Sequence, residues 1–386
     1  MEDGEQVKAN KFKYFIDDYW DIFLGIISIV LAFYFHEHHK MIISTLFAAI
    51  SIGSLSITVS EIAEILSEKL QEPYGSFVLT LSAVIVEIIL LYLILLQVHQ
   101  SPEVLNTVKG GIISAVIVDM NVLLGLAVFL GGLKFRQQEH NKETSSAYTT
   151  ILFVASVALL VPSLLGQSAQ HTHQQVLDAS ILIAFVLFVF YVIIVIFQTK
   201  THTHFFKQTA RSRIFRLKRK MKEEDTNQED DYIFEKFNNF GLIFSIFIFI
   251  AIIALGAEVF ANDGVKLAKE YGVSAGLSGL LIAIVAVSPE IVTAIKAAKN
   301  DEIQRVVNIA MGASTVSILL TVPILMLLAF YSHIPLSLDF NPLEIGALIL
   351  TILLVSKTTD DGHTNYFEGI SHLMFFAAYV IIAAYY

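Results

Sequence analysis

TLSAVIVEIILLYLILL, residues 80–96, is a continuous apolar run whose single charged residue, Glu87, sits near its middle. The run lacks the alternation that marks strands of a membrane β-barrel, whose segments span about 10 residues. It reads as a helix long enough to cross most of the hydrocarbon. A carboxylate at bilayer depth costs roughly 2.5–3.5 kcal/mol on insertion scales, so Glu87 argues for a use, most simply an ion or proton site. LSGLLIAIVAVSPEIVTAI, residues 277–295, repeats the arrangement around Glu290.

Composition extends that reading to the whole chain. Of 386 residues 55% are hydrophobic and 16% charged, where a soluble domain carries about 25% charged residues. The chain is therefore expected to be an all-α polytopic membrane protein of about eleven transmembrane helices, with the lipid bilayer as its main partner. The spans are expected near 20–36, 41–59, 76–98, 110–131, 148–166, 177–197, 239–260, 276–296, 305–330, 343–356 and 367–386, the tenth being weak. The polar, acidic amino terminus carries no cleavage signature, so the first apolar segment reads as a retained span.

Several function classes drop out. Zero Cys removes disulfides, thiolate nucleophiles and thiolate metal sites. No HExxH, GxSxG or phosphate-cradling glycine run is present, so no enzyme chemistry and no resident cofactor are expected. Nothing points to nucleic acid. Homo-oligomerisation is left open, because an apolar helix face reads the same against lipid as against a second copy.

Lys200, Lys207, Arg211, Arg213, Arg216, Lys218, Arg219, Lys220 and Lys222 follow the sixth span, which the positive-inside rule assigns to the cytoplasm. The amino terminus is then cytoplasmic too, in a multi-pass membrane protein. EEDTNQEDD, residues 223–231, ends this loop and reads as a solvated hinge. Four regions result: a tail and first helix, 1–40; a first five-helix repeat, 41–198; a linker, 199–238; and a second five-helix repeat, 239–386. Because five is odd, the second repeat enters the membrane in the opposite sense, the inverted plan of many secondary transporters. Glu87 and Glu290 each fall in the second span of a repeat, which brings them to a shared midplane site.

Polar and helix-breaking residues gather around both acids: Lys109, Gly110, Gly111, Ser114, Asp119 and Asn121 with Glu87, and Ser288, Pro289, Gly312, Ser314, Thr315 and Ser317 with Glu290. Pro289 is expected to break its helix and free carbonyl oxygens beside Glu290. Carbonyls and carboxylates suit a hard cation. Each carboxyl can hold a proton or help hold a cation, and competition for one site couples the two fluxes.

At SEIAEILSEKLQEPYGSFVLTLSAVIVE, 60–87, VKGGIISAVIVDMNVLLG, 108–125, SPEIVTAIKAAKNDEIQRVVNIAMGASTVSILLTVP, 288–323, and DGHTNYFEGISHLMFFAAY, 361–379, the chain resembles the calcium/proton antiporter family of the calcium/cation antiporter superfamily, and within it the bacterial sodium–calcium/proton branch. The resemblance implies a secondary antiporter that exchanges cytoplasmic Ca2+ for external protons by alternating access. It implies Glu87 and Glu290 as metal-binding acids, with Asp119 and Ser314 completing the cation/proton site. Asp119 falls where typical members carry asparagine. The Gly-Asn-Ala-x-Glu pattern is AVIVE at 83–87 and AVSPE at 286–290 here, and Val316 replaces a glutamine. Fewer amide ligands leave room for Na+ or K+ as exchanged ions. Sodium/calcium exchange without protons, or a cation channel, are the competing readings.

The resemblance also sets Glu61 and Glu64, three apart on one helical face, along the cytoplasmic approach. Glu258 is expected along the outer approach and Glu368 as a gate or pathway residue. His372, inside the last span, is expected to hydrogen-bond a neighbouring helix.

Overall fold

In hydrocarbon a backbone N–H or C=O finds no water, so long apolar runs satisfy their polar groups internally as helices. The computed structural model describes residues 2–70, 74–99, 101–168, 172–206 and 232–385. The hinge at 223–231 and the basic residues from Lys207 to Lys222 lie outside them. The helices are α1 (Glu2–Glu37), α2 (Met41–Leu70), α3 (Tyr74–Leu95), α4 (Val104–Val118), α5 (Leu124–Phe135), α6 (Lys142–Gln167), α7 (His173–Ile196), α8 (Asn239–Glu270), α9 (Ala275–Lys299), α10 (Ile303–Val316), α11 (Val322–Tyr331), α12 (Pro342–Thr358) and α13 (Tyr366–Tyr385). α4 and α5 form one span through a π-helical turn at Asp119–Leu123, and α10 and α11 another through a π turn at Ser317–Thr321.

Among the described residues ten helices are long and apolar enough to cross a membrane. The weak tenth segment is α12, with 17 residues, about 25 Å of helix. After α1 the chain therefore runs twice through the same order of five. In each set the second helix carries a glutamate, Glu87 on α3 and Glu290 on α9, and the third is interrupted by a π turn.

The expected break at Pro289 is not where the chain bends. α9 runs unbroken from Ala275 to Lys299. Pro289 cannot donate to the carbonyl of Val285, and the Ser288 hydroxyl takes that oxygen instead, at 2.8 Å. The interruptions lie one helix further on and have separate causes. In the first, the Asn121 side-chain amide reaches back to the Ile117 carbonyl at 3.1 Å, inserting into the backbone ladder. In the second, Pro323 stands two residues past the turn and lacks the N–H that would bond back into it.

Short polar connections hold the ends. Asn141, Thr172, Asn238, Ser274 and Asn341 cap the helices that follow them. Two short strands, β1 (Gln137–Glu139) and β2 (His363–Asn365), pair antiparallel and tie the α5–α6 connection to the α12–α13 connection. α7 presents Leu182 and Phe185 outward, 66% and 65% exposed, as expected of a lipid-facing helix.

The register that matters for function is set by glycines. A Cβ on Gly279 of α9 would stand 2.5 Å from the Gly111 nitrogen and 2.6 Å from the Gly110 carbonyl carbon of α4. α4 and α9 therefore cross at backbone contact, as small residues allow between membrane helices. From that crossing Asp119 lies about 14 Å further along α4 and Glu290 about 17 Å further along α9, at 1.5 Å per residue. The crossing brings both acids to one depth.

Gly279→Val should lower the stability of the detergent-solubilised protein by about 1–3 kcal/mol, read as a lower melting temperature. Gly346→Ala, where a Cβ would meet nothing within 4 Å, should leave it unchanged.

Candidate functional site

Glu87 of α3 is 8% exposed. Its Oε2 accepts hydrogen bonds from the Ser317 hydroxyl at 2.7 Å and the Thr321 hydroxyl at 3.4 Å. These donors are the first and last residues of the second π turn. A glutamate of the first repeat is thus seated on the widened turn of the second. Asp119, the first residue of the other π turn and 1% exposed, accepts at Oδ2 from the Ser314 hydroxyl at 3.0 Å. Half-buried Glu290 of α9 lies against it, and the carboxyls of Glu87, Asp119 and Glu290 are electrostatic neighbours. So the structure brings Glu87, Glu290, Asp119 and Ser314 together, and adds Ser317 and Thr321.

Two oxygens define what this arrangement can do. Glu87 Oε1 and Asp119 Oδ1 are buried without a hydrogen-bond partner. A buried carboxylate oxygen without a donor costs on the order of 1–3 kcal/mol or more. No basic side chain is among the described neighbours of the three acids. Lys109, grouped with Glu87 by sequence, is directed elsewhere, as described below. The carboxyls can be neutralised only by protons or by a bound cation, and the oxygens without partners are available to either.

Lys69 at the end of α2 donates to the carbonyls of Glu235 at 2.9 Å and Phe237 at 2.6 Å, which identifies the face bearing the linker. There Glu61 pairs with Lys296 at 3.3 Å and accepts from the Tyr232 hydroxyl at 3.4 Å. Glu64 pairs with Arg305 at 2.5 Å, and Arg305 also reaches Glu302 at 3.6 Å. These pairs join α2 to α9 and α10 between the acids and the linker face. Glu368 is committed locally: its Oε2 accepts from the Asn365 N–H at 2.9 Å while Asn365 Oδ1 accepts from the Glu368 N–H at 3.3 Å. That reciprocal pair is a capping box for α13. Glu258 is exposed on α8 and does not join the cluster.

On the opposite face Lys109 is buried and donates to Asp339 Oδ1 at 2.5 Å and to Ser337 at 3.3 Å. Glu344 of α12 is buried beside it. The acids not anticipated from sequence include Asp339 and Glu302 above, and also Asp21, bonded to Thr58; Asp263, bonded to Ser44 and to His36 at 2.9 Å; and Glu344. Asp21 and Asp263 fasten α1 to α2 and α8.

The loop carboxyl Asp339 is pushed up by burial, but hydrogen bonds from Lys109 and Ser337 and the Lys109 charge outweigh this and hold it below the usual aspartate range. A depressed folded value stabilises the protein above the unfolded value, near 3.9, and that contribution is lost as pH falls through the folded value. Acid melting curves of Asp339→Asn should therefore lack part of the stability loss of the wild type below about pH 4.

A family model described as "Sodium/calcium exchanger protein" matches residues 39–200 and 241–385. The chain is 28% identical over 338 residues to the sodium-potassium/proton antiporter ChaA of Escherichia coli (strain K12), covering 87% of each chain. It is 24% identical over 296 residues to a Ca(2+)/H(+) antiporter of Synechocystis sp., covering 75% of this chain and 77% of that one. Among solved structures, native YfkE superposes with a TM-score of 0.75 at 20% identity, over 95% of this chain and all of that one (100%). The H+/Ca2+ exchanger CAX gives 0.64 at 12% identity, over 95% and 92%. At these identities the superpositions speak to the fold.

Proposed function

The chain belongs to the sodium/calcium exchanger family, and we propose that it is an antiporter that moves Ca2+, with Na+ or K+ as further exchanged ions, against protons through Glu87, Glu290 and Asp119. The observation that carries this reading is the pair of buried oxygens without partners, Glu87 Oε1 and Asp119 Oδ1, in a cluster of acids with no basic neighbour described. Here Glu87 spends one oxygen on Ser317 and Thr321 and Asp119 spends one on Ser314, and the other oxygen of each has no hydrogen-bond donor. Asp21 of α1 also keeps one buried oxygen, Oδ1, without a partner, so it is the gathering of three acids from both repeats that sets this site apart.

The cycle follows from charge balance. A cation arriving from the linker face displaces protons from Glu87 and Glu290, whose two negative charges match one divalent ion. Asp119 then keeps its proton, so that the cluster is neutral when loaded. Opening towards the other face lets protons replace the cation, and inward proton movement supplies the free energy of extrusion. Glu61 and Glu64 line the inner approach, where their ion pairs with Lys296 and Arg305 must part as the path opens.

The regions 1–40, 41–198, 199–238 and 239–386 act in this reading as an extra helix, a first repeat, a linker and an inverted second repeat. The basic run from Lys200 to Lys222 supports a cytoplasmic linker and amino terminus. The mutual 87% coverage with a bacterial antiporter supports a prokaryotic cytoplasmic membrane.

Proteoliposomes with an imposed pH gradient, given Ca2+, Na+ or K+ separately, test this. Wild-type protein should release protons on addition of an exchanged cation, and Glu87→Gln and Glu290→Gln should fall to the level of protein-free vesicles. Exchange that survives both substitutions, or calcium flux driven by sodium at constant pH, would contradict the reading.

A further inference from the structure

We propose that His372 is a positioning residue for the cation site: it holds the Asn121 amide that keeps the first π turn open, and so fixes where the Asp119 carboxyl stands. This rests on Asp119 belonging to the site.

Asn121 is 0% exposed and lies two residues beyond Asp119 in the same π turn. Its Nδ2 donates to the Ile117 carbonyl at 3.1 Å and to the Thr351 hydroxyl of α12 at 3.0 Å. The carbonyl can only accept, which fixes the orientation of the amide and leaves Oδ1 as an acceptor. His372 of α13, 1% exposed, reaches that oxygen with Nδ1 at 3.1 Å. Nδ1 must then carry the proton, and Nε2 accepts from the Thr358 hydroxyl at 2.9 Å. Every polar group of the buried amide is used, and two other helices, α12 and α13, are tied to the turn that carries the acid.

The helix that carries the imidazole is itself closely seated. A Cβ on Gly125 of α5 would stand 2.9 Å from the His372 Cβ, and one on Gly369 of α13 would stand 2.6 Å from the Phe129 Cα. α5 and α13 are therefore in backbone contact next to His372.

The second π turn supplies an internal comparison. Leu319 stands at the position of Asn121, and Pro323 just beyond the turn removes a backbone donor. That turn presents Ser317, a neutral donor. The turn that presents a carboxyl to two other acids is the one braced by a polar chain. A carboxyl that must stand within reach of two others needs its backbone fixed, and partners that orient a metal-binding group from behind commonly change affinity by about 10–100-fold when removed.

The test is calcium-dependent proton release by the full chain in proteoliposomes, at fixed pH, with the half-saturating Ca2+ concentration separated from the maximal rate. His372→Asn keeps a donor where Nδ1 stands but is the smaller residue; His372→Gln is nearer the histidine in volume and carries its amide where Nε2 stands. His372→Gln, His372→Ala and Asn121→Leu should each raise half-saturation about tenfold, whereas His372→Asn should stay within about threefold of wild type. The double variant Asn121→Leu/His372→Ala should be no worse than either single change.

Half-saturation that follows side-chain volume, with His372→Gln better than His372→Asn, would overturn the proposal. Multiplying effects in the double variant would do the same. Because Asn121→Leu introduces the residue found in the second turn, it remains informative if a His372 variant fails to fold. Exchange retained by Glu87→Gln would instead sink the site itself, a separate result.

Discussion

The fold is organised around a charge problem. Carboxyls from both repeats meet inside the membrane with no described basic neighbour, and two of their oxygens have no donor. Left ionised and empty, such a cluster would be self-repelling in a medium that cannot screen it. It persists because a proton or a cation is always available from one face or the other. In the proposed reading the stability of the centre and its transport chemistry are one requirement: whatever neutralises the acids is what the protein carries.

Other features of the structure hold that cluster at one depth. The glycine crossing of α4 and α9 sets the register, and the two π turns aim Asp119 and Ser317 towards the glutamates. Each glutamate meets the π turn of the opposite repeat, Glu87 through Ser317 and Glu290 through Asp119. A site built in this crossed manner changes shape whenever one repeat moves against the other, which alternating access requires. The ion pairs of Glu61 and Glu64 occupy the linker side, and the Lys109–Asp339 pair the other.

Much of this was legible in sequence, for definite reasons. Glu87 and Glu290 stand out because charge is rare in long apolar runs, and their equal place in two five-helix sets makes the repeat visible. Ser314 and Asp119 were reached through family resemblance, and the structure joins them by a hydrogen bond. The π turns were not legible, because one extra residue in a helical turn leaves the apolar pattern intact. Pro289 drew attention as a breaker, yet Ser288 repairs its ladder, and Pro323 is the proline that lies beside an interruption. The capping role of Glu368 was not read from sequence, because an acid at a helix start looks alike whether or not it bonds back to the N-cap residue. Asp21, Asp263 and Glu344 escaped notice because their partners, Thr58, Ser44, His36 and Lys109, are distant in sequence.

The central claim, that protons and cations compete for one set of carboxyls, is tested most directly at equilibrium rather than by flux. Calorimetric titration of Ca2+ into the solubilised protein, repeated in buffers of different ionisation enthalpy, measures how many protons leave as the ion binds. The account predicts a heat that varies with the buffer, corresponding to net proton release, and loss of that dependence in Glu87→Gln together with Glu290→Gln. Calcium binding to the wild-type protein with a heat independent of the buffer would contradict it.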